Sequence, residues 1–124
     1  MYNAKPLIAT ALIADTSLIA LIPKVRMFDN IASFSGAPIY PYLTYEELSL
    51  IEALHADDES IEDEATFRIH LWGNTSLSVM AGHVDRIMRT INFGRNYSMD
   101  SDEMLEAGII IKHKIMSYSG TFTA

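Results

Sequence analysis

Residues 65–72 read ATFRIHLW. Ala65, Phe67, Ile69 and Leu71 alternate with Thr66, Arg68, His70 and Trp72. This strict period of two marks a strand with one buried face. Such a strand needs a neighbour, and the nearest is the segment from residue 42 to residue 54. Local rules leave that segment open. Tyr42, Leu43, Thr44 and Tyr45 favour a strand. Thr44, Tyr45, Glu46 and Glu47 also fit a capping box, with Leu48, Ile51 and Leu54 at helical spacing. The alternating segment decides in favour of a long antiparallel hairpin. Its alternation changes phase near residues 46–48, which requires a bulge. Six acids, Asp57, Asp58, Glu59, Glu62, Asp63 and Glu64, then fall at the hairpin tip and the start of its second strand.

The rest of the chain is read outward from this hairpin. Leu7, Ile8, Ala11 and Leu12 share a helical face, continued by Leu18, Ile19 and Ile22. Asp15, Thr16 and Ser17 mark a break, with Asp15 or Thr16 capping a second short turn that Pro23 ends. KVRMF (residues 24–28) reads as a short strand, followed by a loop holding Gly36, Pro38 and Pro41. After Gly73 and Asn74, Thr75 or Ser76 caps a helix with the stripe Leu77, Met80, Val84, Ile87, Met88 and Ile91. Asn92 and Gly94 end it. Residues 95–103 are rich in turn formers, with a short strand near Tyr97. The last strand places Ile109, Ile111 and Ile115 toward the core, and Lys112, Lys114 and Tyr118 outward. The expected architecture is α+β: one domain over residues 1–124, with a mixed, mainly antiparallel sheet of about four strands, two helices packed on one face, and a long acidic hairpin.

Composition narrows the function classes. The net charge is -7 with a pI near 4.9. Without the six hairpin acids the chain holds 9 basic and 10 acidic residues, so the imbalance is local. A partner needing a basic face, such as a nucleic-acid groove or an anionic membrane, is disfavoured. With no cysteine, disulfides, thiolate metal sites and thiol nucleophiles are excluded. The apolar run from residue 7 to residue 22 is interrupted by Asp15 and preceded only by Lys5. It fits neither a secretion signal nor a membrane span.

Catalytic and metal patterns are not evident. A helix-loop-helix calcium loop starting at Asp57 would need glycine where Glu62 stands. A looser divalent-cation site at the tip stays open beside a plain solvated tip. The histidines lack the tight spacing of a zinc site. His55 lies at the hairpin, His70 and His83 on polar faces, and His113 among isoleucines as a hydrogen-bonded residue at the core edge. SFSGAP (residues 33–38) is not a G-x-S-x-G elbow, and GNTS (residues 73–76) is too short for a phosphate loop. Met80, Met88 and Met116 fall at core spacing. Trp72, the single tryptophan, ends its strand on the non-core face, where it either caps the sheet or anchors an interface. These residues describe a binding or assembly module.

The order of segments goes further. LIATALIADTSLIALIP is followed by KVRMF, APIYPYLTYEE, ATFRIHLWG, SLSVMAGHVDRIMRTI and EAGIIIKHKIMSYS. Arg26, Met27 and Phe28, then Pro41, Tyr42, Leu43, Thr44 and Tyr45, then Ile69, His70, Leu71 and Trp72 occupy its short motifs. In this order the chain resembles the tail-completion proteins of long-tailed phages, also called tail terminators or tail-to-head joining proteins. The density of hairpin acids departs from that pattern. The resemblance implies a structural virion protein at the tail–head junction, assembled in the host cytoplasm. It implies a homo-oligomer, usually a hexameric ring, that ends growth of the tail tube and meets the tube protein on one side and the head connector or stopper on the other. DNA would pass through the channel without specific binding. The resemblance implies no enzyme activity, cofactor or membrane. A head-side adaptor or stopper ring, a small ligand-binding domain, and an enzyme with a dispersed site are the alternatives. Within the ring, Asp57, Asp58, Glu59, Glu62, Asp63 and Glu64 either dock on a neighbour or the tube, or line the channel as a wall that repels phosphate.

Overall fold

The computed structural model describes the backbone of residues 4–56, 59–104 and 108–123, and the side chains of residues 4–48, 64–104 and 108–121. The elements are α1 (Lys5–Ala14), α2 (Thr16–Leu21), a 3₁₀ turn (Lys24–Arg26), β1 (Met27–Asp29), β2 (Tyr42–Ala56), β3 (Glu59–Gly73), α3 (Ser78–Thr90), β4 (Gly94–Asp100), β5 (Glu103–Met104) and β6 (Ile110–Thr123). The fold is α+β, as expected, with three helices and a larger sheet. Strand order is β1-β2-β3-β6-β4, and β5 pairs with β6. β1 runs parallel to β2, and the other pairs are antiparallel.

The expected hairpin is present. β2 and β3 pair from Tyr42 opposite Trp72 to Ala56 opposite Glu59, with a register shift between Glu47 and Ser49 where the alternation changes phase. Leu43, Ala65, Phe67, Ile69 and Leu71 are buried on one sheet face. They form the core with Ile8, Leu12, Leu18 and Ile22 of the N-terminal helices and Met80, Val84, Ile87 and Met88 of α3.

Asp15 divides α1 from α2. Its carboxylate accepts the Leu18 N–H at 3.0 Å, capping α2, and takes a two-pronged contact from Arg86 of α3 at 2.8 and 3.0 Å. The Arg86 guanidinium, outweighing burial, holds the Asp15 carboxyl down at about 2. One residue thus caps a helix and ties the N-terminal pair to α3.

Four readings need correction. Lys24, Val25 and Arg26 form the 3₁₀ turn, so the strand starts only at Met27. α3 starts at Ser78 with Leu77 at its cap position and no side-chain cap. Ser76 Oγ instead accepts the Ser78 N–H at 3.4 Å. The residues after α3 form β4, a full edge strand. The phase of β6 is the reverse of that expected. Ile69 lies opposite Met116 and Phe67 opposite Tyr118, and Met116 and Tyr118 are fully buried. Ile115 and His113 lie opposite His70 and Trp72, on the other face; of the expected inward isoleucines Ile111 is buried and Ile109 is exposed. A tyrosine can occupy the core here because its hydroxyl donates to Asp85 of α3 at 3.2 Å. That bond removes the cost of burying an unpaired O–H. Burial, reinforced by Asp85, pushes the phenol well above its usual range.

Gly120 follows on the same strand. A Cβ there would come within 2.8 Å of the Asn92 carbonyl and 3.0 Å of the Phe93 ring. Asn92 itself has φ 66°, the left-handed turn that ends α3 and tucks Phe93 edge-on against Phe67 at 5.9 Å.

Candidate assembly surface

The sheet face away from the helices carries the side chains that alternate with the core. At its β1 end, rings gather around Tyr42. Phe28 and Phe34 meet it edge-on at 6.3 and 5.1 Å, and Tyr40 lies 5.6 Å away. Tyr42 stacks on Trp72 at 5.7 Å, and Trp72 stacks on His113 at 3.5 Å with the planes 10° apart. The register dictates this ladder, because Tyr42, Trp72 and His113 are direct cross-strand partners on β2, β3 and β6. Burial, with smaller contributions from Tyr40 and Glu103, pushes the Tyr42 hydroxyl up to about 12.

A polar chain runs beside the stack. Glu46 Oε1 lies 3.0 Å from His70 Nε2, and His70 Nδ1 lies 2.8 Å from His113 Nε2. An ionised Glu46 can only accept, so His70 carries its proton on Nε2. The short contact between His70 Nδ1 and His113 Nε2 needs one ring to donate and the other to accept. Arg68 adds a cation beside Glu46 at 3.5 Å. Burial, with a smaller push from neighbouring His70, holds His113 down at about 4, against opposing pulls from Asp102 and Ser101. His113 is therefore a neutral stacking group at physiological pH.

Two histidines that sequence spacing left apart are thus joined, 43 residues apart in the chain. The missed signal was the β6 phase. With Ile111 and Ile115 assigned to the core, His113 joined them there instead of facing Trp72. Trp72 is half-buried, with Tyr42 and His113 on its two faces, so only its edge is free for a partner. A groove of about 310 Å³ opens beside it, lined by Asn30, Ile31, Thr44, Glu46 and His70 among others. Among the described residues, no group of three His, Asp or Glu side chains is placed to hold a metal ion, and no helix is long and apolar enough to cross a membrane.

The acidic run lies at the other end of β3. Asp57 and Asp58 fall outside the described residues. Glu59, Glu62, Asp63 and Glu64 sit on the β3 backbone, paired with β2, and from Glu62 onward also with β6. Glu62, Asp63 and Glu64 lie between β2 and β6, so their backbone offers no free edge, whereas β2 beyond Tyr45 pairs with β3 alone among the described residues. Glu64 is half-buried and lines a groove of about 470 Å³ with Asn92, Asn96 and Ser119 among others. The 13 residue steps from Glu59 to Trp72 span about 40 Å of strand. The acids and the aromatic ladder therefore occupy opposite ends of the sheet.

No protein-family model and no curated protein matches the sequence. Among solved structures, the chain is similar to a chain described as "Virion of native gene transfer agent (GTA) particle". The TM-score is 0.58 at 13% identity, covering 94% of this chain and 92% of that one. The likeness spans almost the whole of both chains, and at this identity it establishes a shared fold.

Proposed function

We propose that the protein is a structural component of a phage-like virion: a tail-completion ring, a homo-oligomer that caps the head-proximal end of the tail tube and receives the head connector. The fold shared over nearly its full length with a virion chain carries this reading. The segment order, which resembles tail-completion proteins, supports it independently of that fold. The opposed ends of β3 suit a ring with different neighbours above and below. In this reading the protein performs no catalysis and DNA passes through the channel unread. Particles assembled without it should carry tails of uncontrolled length, or leave tails and heads unjoined, when counted by electron microscopy. Normal infectious particles lacking the protein would contradict it.

Asp57, Asp58, Glu59, Glu62, Asp63 and Glu64 have a place in this reading. Like charges this close weaken the fold that carries them, so their benefit belongs to a contact outside the subunit. The hairpin offers charge together with the edge of β2 beyond Tyr45, and docking on the tube or a neighbour is the role proposed. Changing all six to Asn or Gln should leave the thermal midpoint equal or higher while weakening assembly, and raised salt should reproduce the weakening in the wild type. Intact assembly with impaired DNA passage would assign the acids to the channel wall instead. Unchanged assembly and infectivity at low and high salt would remove both roles.

A further inference from the structure

The two lateral edges of the sheet both carry exposed apolar side chains, and they differ in the charges beside them. One edge is β1 with its flanks. Val25, in the 3₁₀ turn before the strand, is 75% exposed, and Ile31, just after it, is 79% exposed. Exposed Ile39 lies in the loop entering β2. Lys24 and Arg26 bracket Val25, while Asp29 is neutralised by Lys5 at 3.1 Å.

The other edge is β4 continued by β5. All seven residues of β4 are exposed, and among the described residues no strand pairs with its outer side. β5 continues the same line along β6, because Asp100 lies opposite Lys114 and Glu103 opposite Ile111, with Ser101 donating to the His113 carbonyl between them at 2.7 Å. Tyr97, Met99, Ile110 and Met104 are exposed along it, Met104 at 74%. The charged residues of this edge are Arg95 at the start of β4, drawn to Asp85 of α3 at 3.8 Å, and Asp100, Asp102 and Glu103 toward and on β5. Asp100 is paired with Lys114 at 2.9 Å, and Lys112 lies nearby on β6.

An open strand edge without lysine or proline, carrying exposed tyrosine and methionine, invites association unless a partner covers it. Either edge meeting its own copy would set like charges together locally, Lys24 and Arg26 around Val25, or Asp102 and Glu103 beside Met104. The β1 edge meeting the β4–β5 edge sets opposite charges around two apolar centres. A contact between two different surfaces of the same chain is heterologous, and repetition of such a contact closes a ring when the rotation allows. We infer that the contact between copies is made edge to edge, with the Val25 and Ile31 flank of β1 on one subunit against the Met99 and Met104 edge of the next. This assignment rests on the ring reading and names the surfaces that form the ring.

The test is a charge swap read by analytical ultracentrifugation and negative-stain microscopy, with circular dichroism confirming that each variant is folded. Lys24→Glu or Glu103→Lys alone should raise the concentration for half-assembly about tenfold, by setting like charges across the contact. The two changes in one chain should restore it, and so should an equimolar mixture of the two single variants, which can alternate around a ring. Val25→Asp should suppress assembly more strongly than either charge variant. If the wild type forms rings and both single variants assemble equally well, or if the combined variant stays as weak as the singles, the edge assignment is overturned and the ring reading stands. A wild type that remains monomeric at its highest soluble concentration, alone and with tail tubes, overturns both.

Discussion

Ile69→Asp should cost about 4 kcal/mol of folding stability, enough to lower the thermal midpoint by on the order of 15 °C. Ile69 is fully buried at the centre of β3, with Tyr45 of β2 and Met116 of β6 opposite it and the helices above. Replacing it removes the transfer free energy of a buried aliphatic side chain, roughly 2 kcal/mol, and leaves a carboxyl among apolar groups. The carboxyl must then either remain charged without a partner or take up a proton at a cost set by the pH. Ile69→Val, which removes one methylene from the same place, should cost only about 1 kcal/mol. Thermal and urea denaturation of the two variants beside the wild type measures both. An unchanged midpoint for the aspartate variant would mean that the face bearing Ile69 is not the core.

Acidification should weaken the fold by about 2 kcal/mol between pH 6.5 and pH 4, with His113 as the main cause. The sign follows from the direction of its shift. In the folded protein His113 is pushed down from 6.5 to about 4, so within that window the unfolded chain binds a proton that the folded chain refuses. Stability is therefore full above pH 6.5 and falls as pH drops toward 4. The face of Trp72 offers an imidazolium some cation–π compensation, which trims the loss. Asp15, held at about 2, gives up its own contribution only below its ordinary value of 3.8, outside this window. The groups facing His113 are His70, Asp102 and, through His70, Glu46. His113→Phe keeps the stack on Trp72 and removes the titration, so its stability should be nearly flat where the wild type slopes. Fluorescence of Trp72, stacked at 3.5 Å on the titrating ring, reports the same event locally. A wild-type slope that persists unchanged in the phenylalanine variant would assign the effect to other groups.

Much of this architecture was legible in the sequence because two signals there are physically strong. The alternation through Phe67, Ile69 and Leu71 admits only a half-buried strand, and the stripe through Met80, Val84, Ile87 and Met88 admits only an amphipathic helix. Asp15 was legible as a cap, since a short acid between two apolar stretches has few other uses. The phase of β6 was not legible by counting isoleucines. Ile109, Ile111 and Ile115 outnumber Met116 and Tyr118 as aliphatics, yet Tyr118 enters the core because Asp85, on a helix 33 residues away, satisfies its hydroxyl. That tertiary bond has no local signature. The pairing of His70 with His113 was hidden by the same error, since it depends on which face β6 turns toward Trp72. Parallel β1 escaped for another reason. Three residues carry too little periodicity to reveal a direction, and the loop through Pro38 and Pro41 can return the chain either way. Of the proposed assembly surface, the acidic run and Trp72 were visible as charge and as a lone large aromatic. Their separation to opposite ends of one strand follows only from the register.

The central claim is that this chain forms a ring that closes a tail tube, and electron microscopy of the purified protein mixed with tail tubes tests it most directly. The account predicts rings seated on one end of each tube, the end that receives the head, with tube length fixed thereafter. Tubes with both ends bare, still lengthening in the presence of excess protein, would contradict it.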